Sequence, residues 1–397
     1  MQNSAEEPLL GFAYYLPLRL VFGMGKLESL STLSLPGKHA LVVISGGSSA
    51  REFDYLAQLT VHLERAGKTF SVFSGTALFP SASSIERGVS LVRETGADFV
   101  VALGGGTTID TAKAIAFMAC NEGALSDYAL HANAPKRGAL PLVAIPTTSG
   151  SGSECNDSLI FFDESLNRRL LFSDGLLMPW LTLIDSELMI SVPPRLTAFQ
   201  GLQAFLRAIE SYISKNATPL SSLYAAQSIA LLYDQLPRAI RNGADPEHRS
   251  QVALGSLYAG MAASLTGSMS QQALAFALGS GSKALPHSVA LLMITEAYLT
   301  HFADLLEERF AALTDLLPLK RDSSQERERA FLFVKVLHKI LVSCGVSDLN
   351  MSEYSISHSD LDQVVAEARN AFSSYFDNDP APVSDSELED ILRFSYR

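Results

Sequence analysis

The chain has 397 residues and a formal net charge of −12, with 47% hydrophobic and 18% charged residues. That balance suits a globular chain long enough for two domains. It argues against nucleic acid, which rewards a basic face, and against an anionic membrane surface.

The opening, MQNSAEEPLL, lacks the basic and apolar regions of a secretory signal. The absence of a purely apolar run of about 18 residues argues against a membrane span. Cys120, Cys155 and Cys344 are odd in number and widely spaced. They suit a reducing cytoplasm better than a zinc knuckle or a disulfide framework. A cytoplasmic location is therefore expected.

Along the first half, strand and helix patterns alternate. HALVVIS (39–45), TFSVFSG (69–75), DFVVALGGG (98–106), LPLVAIPTT (140–148) and LTLID (181–185) are apolar runs, most ending in Gly, Ser or Thr. Amphipathic stretches such as REFDYLAQLTVHLERAG and SASSIERGVSLVRETG lie between them. Short, near-continuous apolar strands predict an α/β domain with a Rossmann-like parallel sheet covered on both faces. After SVPPRL (191–196) the pattern becomes helix after helix, with apolar residues at i, i+3 and i+4. The Pro pair at 193–194 marks a boundary between residues 1–192 and an all-α domain, 193–397. AGMAASLTGSMSQQALAFALG (259–279) reads as one buried, closely packed helix, and LKRDSSQERER (319–329) as an exposed loop running into a helix.

Two loops carry the chemistry of the first domain. In VVALGGGTTIDTAKAIAFMA, Gly104, Gly105 and Gly106 follow a strand and open a helix. Glycines there let backbone N–H groups approach a pyrophosphate at the positive end of the helix. A tight strand-to-helix turn with no ligand is the alternative. The second loop, IPTTSGSGSEC (145–155), also ends a strand in hydroxyls and glycines. Together they predict a dinucleotide crevice at the carboxyl ends of parallel strands.

GGGTTIDTAKAIA and PTTSGSGSE resemble the paired motifs of the iron-containing (group III) alcohol dehydrogenase family, relatives of glycerol dehydrogenase and dehydroquinate synthase. LRLVFGMGKLESL resembles that family's opening hairpin, and LDQVVAEARNAFSSYFDNDPAPVSDSELEDILRFSY its last helices. The resemblance spans nearly the whole chain. It implies an NAD(P)(H)-dependent oxidoreductase acting on a small alcohol, aldehyde or ketone, and a homodimer. Carried over by motif, the cofactor contacts are Gly104, Gly105, Gly106, Thr107, Asp110, Thr147, Thr148 and Ser151. Arg169 falls where the family commonly has a Lys facing the cofactor. Ser45 and Gly46 stand at the turn where NAD-preferring members often carry an Asp, and Arg51 lies nearby. The missing carboxylate favours NADP(H) over NAD(H). Phe79, in LFPSA, replaces an Asn on the nicotinamide side.

The family's metal is held by one Asp and three His. Here Gln203, Arg207 and Gln272 stand at three of those positions, and only His287, in LPHS, matches. Phe276 replaces a further active-site His, and the loop GSGSKAL (279–285) is one residue longer than usual. Two amides, one imidazole and a guanidinium hold Fe²⁺ or Zn²⁺ poorly, since a guanidinium has no lone pair to give. No metal is therefore expected. Either Arg207 merely pairs with Glu210 or another acid in a decayed site, or it replaces the metal's charge. In the second case it polarises a carbonyl or clamps an anionic substrate group. Gln203 and Gln272 then add hydrogen bonds, and His287, with an ordinary pKa near 6.5, donates the proton. A non-redox enzyme on the same scaffold and a catalytically silent nucleotide-binding or partner subunit remain as alternatives.

Overall fold

The computed structural model describes residues 11–46, 49–76, 79–131, 136–281, 285–319 and 325–396. The opening decapeptide, positions 282–284 of the 279–285 loop and positions 320–324 of the polar stretch lie outside the described residues.

The apolar runs of the first half form one parallel sheet. Its strands are β1 (Leu20–Gly23), β2 (His39–Ser45), β3 (Thr69–Thr76), β4 (Phe99–Gly104), β5 (Leu142–Pro146) and β8 (Leu181–Asp185), in the order β1-β8-β5-β4-β2-β3. Alternate residues feed two cores. Leu41, Val43, Val100, Ala102 and Ala144 face one side of the sheet. Val42, Ile44, Val101, Leu103 and Val143 face the other. Both faces are apolar because both are covered, so the strands read as continuous hydrophobic runs.

Since β2 is flanked by β3 on one side and β4 on the other, the strand order reverses between β2 and β4. A crevice opens above the carboxyl ends of strands at such a point. Gly104 pairs with Pro146 across β4 and β5, which sets the glycine loop beside the PTTSGSG loop. Thr147 N donates to Gly104 O at 3.0 Å.

Three local features differ from the sequence-based expectation. The opening stretch is not a hairpin: among the described residues β1 pairs only with β8, in parallel. The turn after it is closed by Asp185, which accepts from Gly25 N and Leu27 N at 3.0 and 2.8 Å. An antiparallel hairpin, β6 (Ser158–Asp163) and β7 (Arg168–Ser173), lies in a stretch not anticipated as strand. The stretch 259–279 is two helices, Pro246–Thr266 and Ser270–Gly281, separated at Gly267, whose φ of 74° a side chain would resist.

The helical region begins with Pro194, at the first position of the Pro194–Ile213 helix, where a missing N–H costs nothing. Its buried residues form one large cluster with those of Pro219–Arg241, Ser270–Gly281, His287–Leu305 and Glu326–Ser343. Among the described residues no single helix is long and apolar enough to cross a membrane.

Candidate active site

A cleft of about 950 Å³ runs between the sheet's carboxyl edge and the helical region. Its sheet side is lined by Ser45, Gly104, Gly105, Gly106, Thr107, Asp110, Thr147, Thr148, Ser151 and Arg169. Gly46 is exposed at the turn and is absent from the lining. Arg51 is also exposed and points Nη1 at Ser74 Oγ, 3.3 Å away.

The glycine loop is pressed against its neighbour. A Cβ on Gly104 would come within 2.6 Å of Thr108, and one on Gly106 within 2.6 Å of Ser151. The backbone thus forms a bare cradle at the start of the Gly106–Met118 helix. Beneath it, Lys113 is wholly buried and donates to Asn156 O, Asn156 Oδ1 and Ser158 O at 2.8, 2.6 and 3.0 Å. One side chain therefore pins the start of β6 under the glycine loop. Asp110, one turn earlier, is pushed up to about 6 by burial, against the pull of Lys113, Ser153 and Arg207. Its Oδ1 is buried with no partner.

On the helical side the cleft is lined by Gln203 and Arg207 of the Pro194–Ile213 helix, and by Phe276, His287 and Tyr375. Arg207 is half-buried, and among the described residues its guanidinium makes no hydrogen bond or ion pair. The pairing with Glu210 considered above is therefore not formed. Glu210 instead accepts from Gln272 Nε2 at 3.0 and 3.1 Å. Burial pushes Glu210 up to about 8.

Gln272 does not reach the cleft. It is 1% exposed and stands behind His287, with Oε1 2.7 Å from His287 Nε2. Its contribution to the site passes through that ring and not through a substrate contact. The proton-donor role expected of His287 would require the ring to take up a proton first. Burial, then Arg207 and Arg169, hold its pKa well below the usual 6.5, so the ring is neutral at physiological pH.

Arg169 lines the cleft, yet its guanidinium is directed at protein groups. It donates to Phe276 O and Gly279 O at 3.1 and 2.9 Å and lies over the Phe79 ring. Phe276 in turn stacks on His287, with ring centres 3.8 Å apart and planes 12° apart. Four of the residues that depart from the family pattern thus pack in a row around His287, which keeps it: Phe79 on Arg169, Arg169 on Phe276, Phe276 on His287, and His287 on Gln272. The sequence reading missed Lys113, Glu210 as partner of Gln272, and Tyr375. Lys113 lay inside a quoted motif, while the other two carry no local signal.

Models of the "iron-containing alcohol dehydrogenase" family match residues 17–186, and of its C-terminal region residues 197–396. The chain belongs to the iron-containing alcohol dehydrogenase family. It is 32% identical over 291 residues to alcohol dehydrogenase 4 of Schizosaccharomyces pombe, covering 72% of this chain and 68% of that one. It is 28% identical over 357 residues to the NAD-dependent methanol dehydrogenase of Bacillus methanolicus, covering 86% and 91%. A crystal structure of an archaeal halo-thermophilic alcohol dehydrogenase from a Red Sea brine pool superposes with a TM-score of 0.91 at 25% identity, covering 98% of this chain and 100% of that one.

The family name implies iron, and the donor set here does not fit it. Among the described residues no group of three or more His, Cys, Asp or Glu is placed to hold a metal ion. At the four family positions stand two amides, a guanidinium, and an imidazole whose Nε2 faces an amide oxygen. A guanidinium gives no lone pair and repels a cation.

Proposed function

We propose that this chain is an alcohol dehydrogenase or aldehyde reductase that uses NADP(H) or NAD(H) and works without a catalytic metal. Arg207 supplies the fixed positive charge, either at the reacting oxygen or on an anionic group of the substrate. The observation that carries this reading is the placement of Arg207. Its Nε is buried without a partner, in the same cleft as the glycine cradle. Negative charge develops on oxygen as a hydride leaves or arrives, and a preoriented donor in a dry site stabilises it.

A bound nicotinamide dinucleotide supplies the hydride exchange. Gly104, Gly105, Gly106, Thr107, Thr147, Thr148 and Ser151 would hold its phosphates, and the unmatched Asp110 Oδ1 would accept from one of its donors. The end of β2 carries Ser45 where a carboxylate would repel a 2′-phosphate, which supports NADP(H). The NAD dependence of the methanol dehydrogenase relative supports the dinucleotide class.

Fluorescence titration of the purified chain with NADPH and NADH tests the cofactor. Saturable binding, tighter for NADPH, is expected, and no binding by folded protein overturns the reading. Small aldehydes with and without a carboxylate, phosphate or phosphonate should then be screened with NADPH and a chelator. Turnover of at least one is expected.

A further inference from the structure

Three cleft residues carry a buried polar atom without a partner: Asp110 Oδ1, Arg207 Nε and His287 Nδ1. Unmatched buried groups are uncommon in folded chains, and at a cleft they mark what a ligand completes. Of the three, His287 Nδ1 is the one whose chemical state the surrounding bonds determine.

The chain of bonds starts at Glu210. Its two carboxyl oxygens both lie on Gln272 Nε2, at 3.0 and 3.1 Å. The amide is thereby oriented with its oxygen toward His287 Nε2, 2.7 Å away. An amide oxygen only accepts, so His287 Nε2 carries the hydrogen. In a neutral imidazole the other nitrogen is then a bare acceptor. Burial and the Arg207 and Arg169 guanidiniums keep the ring neutral. Ring rotation is blocked as well. Phe276 lies parallel to the imidazole at 3.8 Å, and Arg169 Nη1 holds the Phe276 carbonyl at 3.1 Å.

We infer that Gln272, backed by Glu210, is a positioning residue that fixes His287 as its Nε2–H tautomer, so that Nδ1 accepts the hydroxyl hydrogen of the substrate alcohol. The inference rests on the dehydrogenase reading above. In alcohol oxidation the O–H bond breaks and its proton passes to Nδ1. The C–H bond breaks, its electron pair leaves with the hydrogen as hydride to the nicotinamide, and the C=O bond forms. The imidazolium then loses its Nδ1 proton to solvent. Carbonyl reduction runs the same proton back to oxygen.

The ligand-free full-length chain, labelled with ¹⁵N-histidine, tests the tautomer directly. His287 is assigned as the signal lost in His287→Asn. At neutral pH, Nδ1 should resonate as an unprotonated nitrogen and Nε2 as a protonated one, and a protonated Nδ1 in the wild-type chain overturns the proposal. In Gln272→Met a share of the Nδ1–H tautomer should appear, and an unchanged tautomer removes Gln272 from the role. Kinetics give the second arm. An amide oxygen accepts a hydrogen bond but takes up no proton, so His287→Asn and His287→Gln should each lose roughly 100-fold or more in kcat, the range of a lost general base. A loss under about tenfold in either variant overturns the proton-acceptor role, since a general base contributes roughly 100-fold or more. If the expected tautomer is found in a chain that neither binds NADPH nor turns over any alcohol, the dehydrogenase reading fails and takes the role of Nδ1 with it. The Gln272 lock alone then survives.

Discussion

The Arg169 guanidinium lies 4.0 Å from the centre of the Phe79 ring while donating to the carbonyls of Phe276 and Gly279. Arg169 is on β7 and the carbonyls end the Ser270–Gly281 helix, so one side chain ties the sheet-bearing region to the helical one. The Phe276 carbonyl also accepts from Ser280 Oγ at 3.2 Å, while Gly279 is in the last turn, where a carbonyl has no intrahelical N–H partner and a cation suits the helix dipole. Arg169→Ala should lower stability by about 3 kcal/mol, the scale of two lost charged hydrogen bonds in a buried setting. Arg169→Lys should recover only part, since an ammonium lacks the planar fork. Urea denaturation with an unchanged midpoint in Arg169→Ala would show that the tie carries no stability.

Arg207 should act on the substrate. Arg207→Lys keeps the charge but not the fork, and Arg207→Ala removes both, so turnover should fall by ~10²–10³ in the alanine variant and substantially in the lysine variant. NADPH affinity should stay near that of the wild type in both, because the two glycine-bearing loops proposed to hold it belong to the sheet-bearing region. Wild-type turnover by Arg207→Ala would return the guanidinium to a structural role.

The purified chain should contain no stoichiometric iron or zinc, and chelators should leave its activity unchanged. The reason lies in the donors at Gln203, Arg207 and Gln272. Elemental analysis that finds ~1 tightly held ion per chain would contradict this, given that a structural site takes about four good donors.

Glu210 predicts a pH dependence. Burial raises its pKa from 4.5 to about 8, with Arg207 and Gln272 pulling it down and Asp379 pushing it up. Between those values the folded chain binds a proton that the unfolded chain has released. Folded stability therefore falls as pH rises through that window, with the loss complete above about 8. Glu210→Gln still offers an oxygen to Gln272 Nε2 but cannot ionise. Its melting temperature should decline less between pH 6 and 9 than that of the wild type, and parallel pH profiles would rule Glu210 out as the source.

Most of the sheet was legible because each central strand is buried on both faces and so reads as an unbroken apolar run. The β6–β7 hairpin was not, because its short alternation follows directly on the 145–155 loop, which was read for its glycines and hydroxyls. Likewise the break at Gly267 hides in a run of small residues, whose composition suits a helix on either side. At the site, the spacing of Gln203 and Arg207 placed both on one helix face, and both line the cleft. Spacing could not say that Gln272 would turn both ends of its amide to protein groups. That arrangement depends on Glu210, 62 residues away in the chain. For Arg169 the motif position was readable, but the helix carbonyls that hold it come from a contact 107 and 110 residues distant.

The packing of Phe79, Arg169, Phe276, His287, Gln272 and Glu210 against one another also constrains the routes by which such a site can change. His at position 272 alone would exchange the amide that joins Glu210 to His287 for a ring of different shape. His at 207 alone would still leave amides at 203 and 272, too few good donors to hold a cation. Asp at 203 alone would set a carboxylate near Arg207, and an ion pair there would neutralise the only guanidinium of the cleft, among the described residues, that has no protein partner. Each single step toward a metal site thus removes something this arrangement uses before a cation can be held. The contacts couple these positions to one another, so a change at one alters what its neighbours can contribute.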